Sequence, residues 1–280
     1  MLLSNPAWAQ ADSHPLPVVA AESCYGDVAR QIGGGEVRVT SILTNPGQDP
    51  HLFEVSPAAG RAVSEARIVI YNGIDYDPWM AKLLGAARAS TRRVIVVADL
   101  TERTSGDNPH IWYDPATMLA AARALADALA AEDPAHEAAY QQRLAAFEAS
   151  LQPIQAKIAS LRQRLAGTPV TATEPVLGLM FAALGMQVRN AAFQRAVMNN
   201  TEPSAGDVAA FEQDLRTHAV KLLVYNSQAA DPVAARMERL ARAAHIPTVG
   251  AAETEPPGKT WQAWMMSELE AVDQALPARP

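Results

Sequence analysis

The chain has 280 residues, 49% apolar and 19% charged, and a mean hydropathy of -0.05. These values exclude a disordered chain, a coiled coil and a collagen-like polymer, and leave a globular protein long enough for two lobes with their own cores. Its 23 Lys and Arg stand against 30 Asp and Glu, a net charge of -7, so no positive field gathers nucleic acid, and with no run of about eighteen apolar residues no helical membrane span is expected.

In chain order, Ala7-Trp8-Ala9 has the small-x-small form of a signal-peptidase site, so residues 1–15 read as a signal-peptide remnant followed by an irregular start, and the mature protein as exported. Cys24 is the single cysteine, which forbids an internal disulfide or a multi-cysteine metal site, and it is expected to pack as a small hydrophobe. From Val18 to Val97, short β-branched runs alternate with helical stretches. Strands are read at 18–21, 37–43, 68–72 and 94–98. The alternation resumes at Pro169, with strands at 170–173, 222–226 and 248–251. The fold class is α/β: a first lobe over 16–134 and a second over 167–280, each a parallel sheet covered by helices. Ile68-Val69-Ile70-Tyr71-Asn72 leading to Asp77-Pro78 is echoed by Leu222-Leu223-Val224-Tyr225-Asn226 leading to Asp231-Pro232, at one offset of 154 residues.

Between the lobes, Leu144, Phe147, Leu151, Ile154, Ile158, Leu161 and Leu165 fall three and four apart, the stripe of an amphipathic helix. Read over 135–166, that connecting helix would run about 48 Å at the usual rise, with a kink about one turn before Pro153 and an end at Gly167-Thr168-Pro169. A long packed helix resists bending, so a stiff body is expected with a cleft that changes shape modestly. A coiled-coil dimer seam is the rival use of the stripe, and a monomer the favoured state.

Two histidines follow a proline that fixes the backbone just before the ring: His51 after Asn45-Pro46-Gly47-Gln48-Asp49-Pro50, and His110 after Asn108-Pro109. His51 would lie at the carboxyl end of a strand, where ligands collect in open α/β sheets. In the second lobe, Glu174 follows the strand at 170–173 and opens a helix read over 175–184, and Glu253 follows the strand at 248–251. Taken singly, Glu174 also fits a helix-start acid and Glu253 a solvated loop charge.

The segments Pro46-Gly47-Gln48-Asp49-Pro50-His51, Tyr71-Asn72-Gly73 and Asn108-Pro109-His110-Ile111-Trp112-Tyr113-Asp114-Pro115 resemble the metal-receptor solute-binding proteins of zinc and manganese ABC importers, from Val18 to Leu276. The resemblance implies two α/β lobes joined by a long helix, with one divalent ion in the cleft between them. It implies a receptor and not an enzyme: a periplasmic protein that takes Mn²⁺ or Zn²⁺, with Fe a further option, as cargo for a membrane permease and its ATPase. His51 and His110 match the family's two first-lobe ligands, Glu174 its third, and Glu253 its final carboxylate, with Glu255 the alternative if the gap is drawn differently. The stretch from Thr101 to Asn108 lacks the long His-rich insertion of many zinc receptors, and His14, His136, His218 and His245 match no family ligand and read as surface or helix-terminal residues.

Two imidazoles and two carboxylates neutralise a divalent ion. Bidentate carboxylates would suit Mn²⁺ or Fe²⁺, and monodentate ones a zinc tetrahedron. The sequence leaves that choice open. A metal-dependent hydrolase or oxygenase is the rival class, since two histidines and a carboxylate can hold a catalytic metal, but the chain has no His-Glu-x-x-His helix. A receptor for a chelated metal would need an apolar pocket near Trp79 or Trp112.

Overall fold

A computed structural model describes residues 15–47, 53–229 and 231–277. The signal-peptide reading and His14 lie outside the described residues, as does His51.

The first sheet contains β1 (Leu16–Glu22), β2 (Val37–Leu43), β3 (Ile68–Tyr71) and β4 (Arg93–Val96), in the order β2-β1-β3-β4. The second contains β5 (Pro169–Ala172), β6 (Gln187–Val188), β7 (Leu223–Asn226) and β8 (Thr248–Ala251), in the order β6-β5-β7-β8. Every pairing is parallel, and the two sheets are wired alike. In β1 the run Val18 to Glu22 is buried on both faces, as a central parallel strand requires, whereas the edge strand β2 alternates half-buried with exposed.

Strand β6 was not anticipated: its two residues are exposed, so it has no apolar run to mark it. The strand expected at 94–98 ends at Val96, and Val97–Leu100 winds into a 3-10 turn. The helix expected over 175–184 is shorter, with α7 spanning Gly178–Ala183 behind an irregular turn at Thr173–Leu177.

In the first lobe, α1 (Ser23–Gly33) and α4 (Pro115–Glu132) cover one sheet face, and α2 (Pro57–Glu65) and α3 (Pro78–Ala86) the other. In the second lobe, α7 and α11 (Trp261–Ala275) pack on the inner face, and α8 (Ala191–Met198), α9 (Ala205–Arg216) and α10 (Pro232–Ala243) on the outer. Proline opens α2, α3, α4 and α10, where its missing N–H costs nothing and its fixed φ suits the first turn. Asp114 and Asp231 cap α4 and α10 by accepting from Ala116 N and Ala234 N, at 3.0 and 2.7 Å.

The connector is not one uninterrupted helix. Pro134–His136 forms a 3-10 turn, α5 runs Glu137–Ser150, and α6 runs Gln152–Leu165. The break falls at Leu151, two residues before Pro153, because the proline has no N–H to return to the preceding turn; Leu151 itself keeps helical dihedrals. The whole apolar stripe, Leu144 to Leu165, packs into the inner core of this same chain, which rules out its use as a dimer seam.

That inner core is continuous: β1, α1 and α4 of the first lobe, the α5–α6 stripe, and β5, α7 and α11 of the second share one buried cluster. Helix α11 adds a second tie between lobes. The Trp261 indole N–H donates to Trp112 O at 2.9 Å, and its backbone N–H to the Asp27 carboxylate at 2.8 Å. No described helix is long and apolar enough to cross a membrane.

Candidate metal centre

The two sheets point the carboxyl ends of their strands toward the cleft between lobes, so the loops that follow the strands carry the polar side chains there. Three side chains converge. One ligand atom from each of His110, Glu174 and Glu253 lies within 4.8 Å of the others, the one such group of metal-binding side chains among the described residues. All three are buried, at 0, 2 and 2% exposure. His110 Nε2 stands 3.3 Å from Glu253 Oε2 and has no hydrogen-bond partner among the described residues.

His110 follows Pro109 and enters a 3-10 turn at Ile111–Tyr113. Asn108 orients it: Oδ1 accepts the His110 backbone N–H at 3.0 Å and lies 2.8 Å from Nδ1. Nδ1 is thereby engaged by Asn108, which leaves Nε2 as the ring atom placed to serve as a metal ligand. The same Asn108 donates through Nδ2 to Pro175 O at 2.6 Å, so one amide ties the His110 loop to the residue beside Glu174 in the other lobe. A Cβ on Gly178 would lie 2.7 Å from Asn108 Nδ2, so glycine at the start of α7 makes that approach possible.

The acids are set by the tips of three adjacent strands. Glu174 leaves β5 and Glu253 leaves β8, with β7 between them. Asn226, at the end of β7, donates from Nδ2 to Glu174 Oε2 at 3.1 Å and to Glu253 Oε1 at 2.5 Å. Glu253 Oε2 accepts from Tyr76 Oη at 2.9 Å, a contact from the first lobe. Gln228 Oε1 accepts the backbone N–H groups of Glu253 and Thr254, at 2.5 and 2.9 Å, which fixes the loop after β8. Tyr113 Oη donates to Ala252 O at 2.5 Å from the opposite side. Glu253 thus meets donors from both lobes, and Glu174 shares the Asn226 amide with it.

Glu255 faces elsewhere. Its backbone N–H donates to Ser23 Oγ at 3.1 Å, and its carboxyl is pushed up to about 8 by burial and by the nearby Asp27. It does not join the group at His110. His136 lies 2.6 Å from Asp133, and His218 and His245 take left-handed backbone just past α9 and α10, the helix-terminal places expected.

Sequence reasoning missed Tyr76 and Gln228 as site residues. Asn226 was visible as half of the repeated Tyr-Asn strand end, though without a role. That echo is structural: Asn72 directly follows β3, and Asn226 ends β7. Asn72 accepts from Tyr25 Oη at 2.6 Å and donates to Pro109 O, next to His110, at 2.9 Å.

Residues 18–275 match the family described as the periplasmic zinc-uptake complex component A. Over 158 residues the chain is 30% identical to the metal ABC transporter substrate-binding lipoprotein SsaB of Streptococcus sanguinis, covering 51% of this chain and 50% of that protein. It is 28% identical over 155 residues to the manganese ABC transporter substrate-binding lipoprotein PsaA of Streptococcus pneumoniae, with the same coverage. The chain thus spans about half the length of these curated relatives. Its fold is similar to that of the periplasmic zinc-binding protein TroA of Treponema pallidum, with a TM-score of 0.81 and 19% identity over 95% of this chain and 100% of that one.

Proposed function

The chain belongs to the periplasmic zinc-uptake component A family, and from that membership we propose that it is an extracytoplasmic solute-binding protein that captures one divalent transition-metal ion, Mn²⁺ or Zn²⁺, and hands it to an ABC importer. The observation that carries this reading is the buried convergence of His110, Glu174 and Glu253 from loops of both lobes. His51 is the fourth proposed ligand, from the resemblance of its Pro-Gly-Gln-Asp-Pro-His segment. Two neutral imidazoles and two carboxylates balance the ion's charge, which suits a site shut away from water.

Capture rather than turnover is the function. Four protein ligands around one ion leave no open place for an attacking water, unlike catalytic zinc sites with three. A bare ion is the cargo. Trp112 has no room for a chelate, being fully buried against His110 at 5.4 Å between ring centres. The partners are a membrane permease and its ATPase, and the compartment is the periplasm.

Removing one carboxylate weakens coordination and leaves a charge uncompensated. Glu174→Ala is expected to lose at least about tenfold in metal affinity, by titration calorimetry on chelator-stripped protein with Zn²⁺ and Mn²⁺ in parallel. Unchanged binding of both metals would remove Glu174 from the site.

A further inference from the structure

Denticity decides which cation such a site suits: carboxylates that give one oxygen each make a four-coordinate shell fit for Zn²⁺, and those that chelate with both make the larger shell of Mn²⁺. The structure bears on that choice at Asn226. The residue is 6% exposed, and its amide orientation is set by the network, since Oδ1 accepts the Gln228 backbone N–H at 2.9 Å. The Nδ2 donor therefore faces the cleft. Its backbone N–H, held by Thr173 Oγ1 at 3.1 Å, keeps the tip of β7 against the residue before Glu174. From there one nitrogen donates to both acids, to Oε2 of Glu174 and Oε1 of Glu253. On Glu253 the remaining oxygen, Oε2, is the one that faces His110 Nε2, and Tyr76 approaches it from the first lobe.

We propose that Asn226 is a specificity-determining positioning residue: by donating to one oxygen of each carboxylate it holds Glu174 and Glu253 to single-oxygen ligation and biases the site toward four-coordinate Zn²⁺ over Mn²⁺. This rests on the ligand reading given above. The geometry has a topological cause. Strand β7 lies between β5 and β8, neighbouring strands are about 4.8 Å apart, and a side chain at the tip of the middle strand is the one that reaches a residue beyond each neighbour. In the first lobe, Asn72 stands just past β3, and its amide donates to Pro109 O and Gly73 O. The carboxylate clamp is therefore a feature of the second lobe alone among the described residues. Asn226 does not touch the ion; it acts through the two acids.

The test uses the full chain stripped of metal, with Co²⁺, Zn²⁺ and Mn²⁺ as probes. Wild-type protein loaded with Co²⁺ should show the intense visible absorption of a four-coordinate ion. Asn226→Ala should weaken that absorption toward the five- or six-coordinate pattern. The same change should cost at least about tenfold in Zn²⁺ affinity while moving Mn²⁺ affinity by less than about threefold, so that the preference narrows. Asn226→Ser, which keeps a donor for one carboxylate, should fall between, and metal-free melting and circular dichroism identify which variants keep the fold. A weak cobalt spectrum in the wild type overturns the proposal, as does an equal loss for all metals with an unchanged spectrum in Asn226→Ala. Failure of the ligand reading looks different: Glu174→Ala would then keep the wild-type cobalt spectrum and affinity.

Discussion

Asn108 does for His110 what Asn226 does for the acids: it spends a buried amide on orientation. Its Oδ1 serves both the backbone and the ring N–H of His110, and its Nδ2 holds Pro175 across the cleft. Losing the acceptor would free the imidazole to rotate or change tautomer, a defect that elsewhere costs about ten- to a hundredfold in metal affinity. Asn108→Ala should therefore weaken Zn²⁺ binding by at least about tenfold in calorimetry, and Asn108→Asp, which keeps the acceptor, should recover part of it. Equal affinity in Asn108→Ala and wild type would show that the ring is held by other contacts. Asn108 was visible in the sequence as part of an Asn-Pro-His turn. Its reach to Pro175 was not, because 67 residues separate the two.

The Asp-Pro echo shows how one local motif serves two ends. Asp231 caps α10, whereas Asp77 turns away from α3 and accepts the backbone N–H groups of Asn72 and Gly73, at 2.7 and 2.8 Å. This closes a turn in which Gly73, Ile74 and Asp75 all have positive φ. A β-branched residue there is strained, and at Gly73 a Cβ would meet Val96 Cγ1 at 2.6 Å. The turn delivers Tyr76 to Glu253. Behind it lies Glu22, two residues past Ala20 in β1 as Glu174 is two past Ala172 in β5; Ala20 pairs with Ile70, and Ala172 with Val224. The same station thus holds a proposed ligand in one lobe and a buried acid in the other.

Glu22 is buried beside Asp77, and burial, then the Asp77 charge, pushes its carboxyl well up. Both Asp77 oxygens accept from backbone donors, so Glu22 is the acid of the pair that keeps its proton. Asp77→Ala would strand two backbone donors and is expected to cost at least about 2 kcal/mol in chemical denaturation. Glu22→Gln keeps a neutral donor and should stay within about 1 kcal/mol of wild type. A destabilisation of Glu22→Gln matching that of Asp77→Ala would show that Glu22 is ionised.

Across the whole molecule, several acids are held neutral by burial, and this sets the direction of its pH response. Glu268 in α11, which accepts from the Trp264 indole at 3.0 Å, is pushed by burial from 4.5 up to about 7, and Glu22 by burial well above its usual 4.5. Folded protein keeps these protons where unfolded chain has released them. The stability they supply is therefore full below the unfolded values and is lost as pH rises through the folded ones. Metal-free protein should melt progressively lower between about pH 4.5 and about pH 7. Glu268→Gln, far from the proposed ligands in sequence, should flatten part of that slope, with at most about 3 kcal/mol at stake. A melting temperature that rises over that interval, or the same slope in Glu268→Gln, would contradict the assignment.

Most of the elements are legible in the sequence. Two α/β lobes, the apolar stripe between them and seven of the eight strands follow from local periodicity and proline chemistry, which act over a few residues and can be read there. His110 stood out for the proline before it, whereas Glu174 and Glu253, bland when taken singly, were picked out by the family resemblance. Tertiary structure decided the rest. It broke the connector at Leu151, brought those three side chains within 4.8 Å, and turned Glu255 toward Ser23 and Asp27. It also recruited Asn226, Tyr76 and Gln228. Those outcomes depend on which strand tips the sheet order makes neighbours and on how the lobes share one core, and neither leaves a period or a spacing in the chain.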